Sequence, residues 1–159
     1  MAVNAARMAD EWFNPLAKKD TASCLIEKAK AGQSREERIQ AIRNLGNSRD
    51  NRAVTSLTDF CQDKDPEIRR SAIAGLQNLR SGRAAGVLIE RLRDKEELPE
   101  IRQHAAAALA AIRSYRAMQE LRARYADNEE DKALRFFIGG ELHRVRYLVS
   151  PGPGPGSSS

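Results

Sequence analysis

Apolar residues recur along this chain at spacings of three and four, the period of a helix with one face in a core. Ala22, Ile26 and Ala29 make the first such row. Ala41, Ile42 and Leu45 make the second, and Ala53, Leu57, Phe60 and Cys61 the third. Ile68, Ala72, Leu76 and Leu79 follow, then Ala84, Val87 or Leu88, and Leu92. Further on come Ile101, Ala105, Leu109 and Ile112, then Ala117, Met118, Leu121 and Tyr125, and last Leu134, Ile138, Leu142 and Val145. Each row predicts an amphipathic helix.

The polar residues between the rows punctuate them. Ser34 with Glu37 forms a capping box, each side chain satisfying a free backbone N–H at a helix start. Asp65-Pro66 places a capping carboxylate before a proline, whose missing N–H costs nothing in a first helical turn. Leu98-Pro99 keeps the proline but has a poor cap, which predicts a weaker start or a cap from Glu97. Asp50 is placed to cap the helix after Gly46-Asn47, a pair expected to loosen the end of the helix before it. Gly32 should close the first helix and Ser81-Gly82 should turn the chain. Gly139-Gly140, inside the last row, predicts a kink or a close backbone approach.

The rows are copies of one another. Arg38, Arg69, Arg102 and Arg135 stand seven residues before Leu45, Leu76, Leu109 and Leu142, which are 31, 33 and 33 residues apart. Arg52-Ala53, Arg83-Ala84 and Arg116-Ala117 follow the first three leucines at seven residues. Self-similarity at this period marks stacked helix pairs, in which each unit buries its apolar face on its neighbours. The fold class expected is all-α, an α-solenoid. Its parts are a half-repeat at 21–32, repeats at 34–63, 64–95 and 96–128, and a closing helix at 131–148. Residues 1–20 read as a lid carrying Trp12 and Phe13, with a short helix from Asn4 to Phe13. Residues 149–159, rich in Pro, Gly and Ser, read as a disordered tail.

The pattern Asp65-Pro66-Glu67-Ile68-Arg69, with Ala72 and Leu76, followed by Arg80-Ser81-Gly82-Arg83-Ala84, resembles the HEAT-like repeat of the phycobilisome-lyase type. The resemblance covers about residues 21–148. It implies a right-handed superhelix with first helices on the convex side and second helices on the concave side. It also implies a platform for binding proteins. Some members of that family attach or detach bilin chromophores on phycobiliproteins, an activity narrower than the repeat itself.

Composition narrows the choice of function. The 159 residues carry 27 basic and 22 acidic side chains, a net charge of +5, with aromatics at only 5%. The excess suits an acidic partner surface or a nucleic acid, although scarce aromatics weaken a single-strand reading. No apolar run is long enough to span a membrane. Two cysteines, Cys24 and Cys61, are too few for a disulfide framework, and a cytoplasmic location is expected; both read as small buried hydrophobes. His104 and His143 have no second ligand at helical spacing, and His104 reads as a half-buried helix residue. The His-Glu pairs that di-iron hydroxylases on this fold use are missing. No catalytic residue, metal site or cofactor is expected.

The arginines carry the candidate chemistry. Arg38, Arg69, Arg102 and Arg135 are expected to form a structural ladder, bridging neighbouring repeats to carboxylates or carbonyls such as those near Asp63, Asp65 or Asp127. Arg49, Arg80 and Arg113 occupy the turns, with Arg146 at the matching place. Arg52, Arg83 and Arg116 open the second helices, where a cation opposes the helix dipole and needs an acidic neighbour or an external anion. With Arg91 and Arg122 they make the expected partner-binding set on the concave face. The leading expectation is a non-enzymatic scaffold for an acidic or helical protein surface. A bilin lyase subunit and a nucleic-acid binder are the alternatives.

Overall fold

The computed structural model describes residues 15–32 and 34–149. The Trp12–Phe13 lid and the tail from Ser150 onward lie outside the described residues. Eight α-helices follow in order: α1 (Pro15–Ala31), α2 (Arg35–Asn47), α3 (Ala53–Phe60), α4 (Pro66–Leu79), α5 (Ala85–Arg93), α6 (Pro99–Ile112), α7 (Tyr115–Ala126) and α8 (Lys132–Val149). A single 3-10 turn at Gly82–Ala84 leads into α5. Among the described residues there is no strand.

The polar punctuation sets the helix starts. The Ser34 side chain accepts the Glu37 N–H at 3.1 Å, and the Asp65 side chain accepts that of Glu67 at 2.9 Å. Asp50 accepts the Arg52 N–H at 2.9 Å and so serves the start of α3. Leu98 gives α6 no side-chain cap. Instead Glu97 accepts the Leu98 N–H, and Glu130 accepts the Asp131 N–H in the same way before α8.

Two layers result. α2, α4, α6 and α8 pack side by side as a row of first helices. α1, α3, α5 and α7 lie against them as the second layer. One continuous core fills the space between, built from Ile42, Leu45, Leu57, Ile68, Leu76, Leu88, Ile101, Leu109, Leu121 and Ile138, all fully buried. Rows at a period near 3.6 bury one stripe per helix, and only a neighbour of the same kind can cover it.

Several details depart from the sequence reading. α1 begins at Pro15 rather than Thr21, because proline fits a first helical turn as readily as it ends a preceding segment. Tyr125, expected inward, is half exposed, and Cys24 is exposed while Cys61 is buried. α2 runs through Gly46 and Asn47 without loosening. Gly46 is there for packing: a Cβ on it would stand 2.4 Å from the Gly75 Cα of α4, so these two backbones meet with no side chain between them. Gly139 faces the ring of Tyr125, where a Cβ would come within 2.8 Å, and Gly140 has nothing within 4 Å. The glycine pair therefore receives a side chain rather than a second backbone.

The left-handed residues are not glycines. Arg49, Arg80 and Arg113 have φ of 55°, 50° and 55°, and no glycine among the described residues has positive φ. Gly82, the expected turn residue, sits two residues past the left-handed corner at Arg80.

Candidate functional site: rows of arginine

The arginines one turn into the first helices point between repeats. Arg38 donates to the Ala29 carbonyl at 3.0 Å and to Asp63 at 2.8 Å. Arg69 donates through both arms of its fork to Glu97, at 2.8 and 2.7 Å, and to the carbonyls of Asp63 and Lys64. Arg102 donates to the Leu92 carbonyl and, from Nη2, to both oxygens of Glu130 at 2.9 Å. Arg135 reaches the Tyr125 carbonyl at 3.1 Å. Arg38, Arg102 and Arg135 thus join the end of a second helix to their own repeat and Arg69 the loop that follows α3, and the first three arginines also reach the loop of the next repeat. A planar fork with five donors suits this better than an ammonium would. The Arg102–Glu130 pair is buried, with side-chain exposures of 8% and 2%.

Burial pushes the Glu97 carboxyl up, but the Arg69 fork, the Leu98 N–H and Arg91 outweigh it and hold the group below its ordinary value. At the surface, Arg35 pairs with the capping Asp65 and holds that carboxyl down at about 2. Burial pushes the Cys61 thiol up to about 12, so it is an inert core residue.

The second-helix arginines divide into two groups. Arg52 is neutralised on the spot by Asp50, from which it is 2.5 Å away. Arg91 turns onto Asp94 and Glu97, at 3.4 and 3.3 Å, and is largely covered. Arg93 and Arg124, outside the expected set or only neighbours to it, share Glu120. Arg83, Arg116 and Arg122 are exposed and make no side-chain hydrogen bond or ion pair among the described residues. The position that holds Asp50 in the first repeat holds Ser81 and Ser114 in the next two. The acid that offsets Arg52 is therefore missing beside Arg83 and Arg116, and the helix dipole disfavours both cations.

The corner arginines form a second row. A groove of about 820 Å3 runs across the ends of the first helices. Its walls carry Arg49, Arg80, Arg113 and Arg144 beside Asn47, Asn51, Gln77 and Asn78, with no acidic residue. Arg49, Arg80 and Arg113 are exposed and have no side-chain partner among the described residues. Arg144 is paired with Glu141. Arg146, expected at the matching corner, lies inside α8, which runs on where the other first helices stop. Asn78 donates to the Asn47 side chain at 3.1 Å, linking the walls of two repeats. A left-handed backbone costs a non-glycine residue about 1 kcal/mol or more, so three arginines held there are unusual on stability grounds alone. The three arginines stand four positions past the repeated leucines Leu45, Leu76 and Leu109, the turn positions that the sequence pattern marks.

His104 is half-buried on α6 and His143 is exposed on α8. Among the described residues no group of three His, Cys, Asp or Glu side chains could hold a metal ion. No helix among them is long and apolar enough to cross a membrane.

Comparison with known proteins agrees with this architecture. Residues 23–98 match the family model for HEAT repeats. The match extends to HEAT repeats in general and does not resolve the phycobilisome-lyase type. No curated protein sequence matches the chain. Among solved structures, human deoxyhypusine hydroxylase in complex with glycerol superposes with a TM-score of 0.73 at 18% identity, over 89% of this chain. This chain spans 50% of that structure's length. An identity this low carries the fold and not the activity. The chain is an all-helical α-solenoid built from HEAT-like repeats.

Proposed function

We propose that this chain is a non-enzymatic scaffold that docks an acidic surface of a protein partner onto its turn arginines. One observation carries the reading. Arg80, Arg83, Arg113, Arg116 and Arg122 have no internal partner among the described residues, while the arginines of the ladder, Arg52, Arg91, Arg93 and Arg124 are all tied to acids or carbonyls. Unpaired like charges at neighbouring turns repel each other and raise the local potential, and an anionic partner relieves both. HEAT repeats commonly serve as protein-interaction platforms, which supports the same reading.

Of the expected binding set, Arg83, Arg116 and Arg122 stay in the proposal. Arg52 and Arg91 leave it because Asp50, Asp94 and Glu97 already occupy them. Arg49, Arg80 and Arg113 enter it. The bilin-lyase alternative gains nothing from the groove, whose walls are mostly amide and guanidinium rather than apolar. The test is capture of partners from a lysate by the native chain and by a variant with Arg83→Glu and Arg116→Glu, with circular dichroism on both. Capture should drop by about tenfold or more, as for lost charge pairs at an interface. A folded variant that retains the same proteins in the same amounts rejects the reading.

A further inference from the structure

Resting on that reading, we infer that the corner groove takes an extended acidic segment of the partner, with a carboxylate at every third residue facing Arg49, Arg80 and Arg113. Three observations carry this. The first is the repeat of the row. Successive arginines sit just past the ends of first helices packed side by side, and packed helices stand roughly 8–10 Å apart. A polyproline-type strand rises about 3.1 Å per residue with three residues per turn, so side chains on one face recur at roughly 9 Å. A β-strand presents its face every second residue, at roughly 6.6 Å, and falls out of step.

The second is the chemistry of the heads. Arg49, Arg80 and Arg113 have no carboxylate in the groove to satisfy them. Each can take a carboxylate through two parallel hydrogen bonds. The third is the amide pair between them. With Asn78 donating to Asn47, the Asn47 NH2 and the Asn78 oxygen are left to offer a donor and an acceptor side by side. A peptide group has one of each and answers both. A phosphodiester has only acceptors and leaves the Asn78 oxygen unmet. The groove therefore favours a peptide over a nucleic acid.

The experiment compares two labelled peptides of equal composition by fluorescence anisotropy on the full chain. In one, glutamates recur at every third residue among Pro and Ala. In the other they are contiguous. Oligothymidylate of equal charge is the third probe. The spaced peptide should bind about tenfold tighter than the contiguous one, the difference expected when bidentate pairs are kept or lost. That preference should vanish in a variant with Arg80→Gly and Arg113→Gly, which glycine tolerates in the left-handed corner, and weaken in Asn78→Ala. Equal affinity for both peptides overturns the inference and leaves the acidic-partner reading standing. Peptide binding untouched by Arg80→Gly and Arg113→Gly, or no peptide binding, also overturns it, with the Arg83→Glu capture experiment then judging the reading separately. Oligothymidylate binding more tightly than either peptide overturns both.

Discussion

At the scale of single residues, the same side chain does opposite work according to its neighbours. Arg102 and Glu130 are enclosed together, so removing one leaves the other charge buried and unpaired. Arg102→Ala is expected to cost about 3–5 kcal/mol in urea unfolding. Arg35→Ala, which breaks an exposed and solvent-screened pair with Asp65, should cost far less. Equal losses would mean that burial does not separate the two pairs. The glycines show the same dependence on place. Gly46→Ala drives a methyl into the Gly75 backbone, and overpacking of this kind costs about 1–3 kcal/mol. Gly140→Ala meets nothing and should raise stability by about 1 kcal/mol through helix propensity alone. Unfolding midpoints of the two variants should move in opposite directions.

At the scale of elements, helix positions were readable because burial at a period near 3.6 and caps such as Ser34 and Asp65 are local signals. Leu98 was readable too, as a start with proline but no cap. Its half-exposed side chain has little packing to lose. Leu98→Ser should therefore add about 1 kcal/mol to stability, as N-cap gains do. No gain in the thermal midpoint would show that Glu97, which already accepts the Leu98 N–H, fully serves that end. The candidate site was read less completely. Arg83 and Arg116 are marked by the 33-residue repeat, whereas Arg122 stands where the repeat before has Ile89. The pairing of Arg52 with Asp50 hides in a two-residue loop geometry, and that of Arg91 with Glu97 in a fold back across the turn. The Gly46–Gly75 contact joins two helices and has no signature in either one alone.

At the scale of the whole molecule, each first helix packs on the first helices beside it and on second helices of its own or the preceding repeat, so stability is a sum over near neighbours. α4 and α6 have a first helix on both sides, whereas among the described residues α8 packs on one first helix, α6, and on α7, and its Phe136 is 87% exposed. Amide exchange should be slowest in α4 and α6 and faster in α8. Uniform protection across all four first helices would contradict the nearest-neighbour account.

The backbone contact between Gly46 and Gly75 reaches further than its own stability. Arg49 follows one of these glycines by three residues and Arg80 the other by five, so the width of that buried joint sets how far apart the helix ends that carry the two corner arginines stand. A single methyl there lengthens one interval of a molecular ruler and leaves the interval from Arg80 to Arg113 as it was. The stride proposed for a ligand of this edge thus depends on two buried glycines.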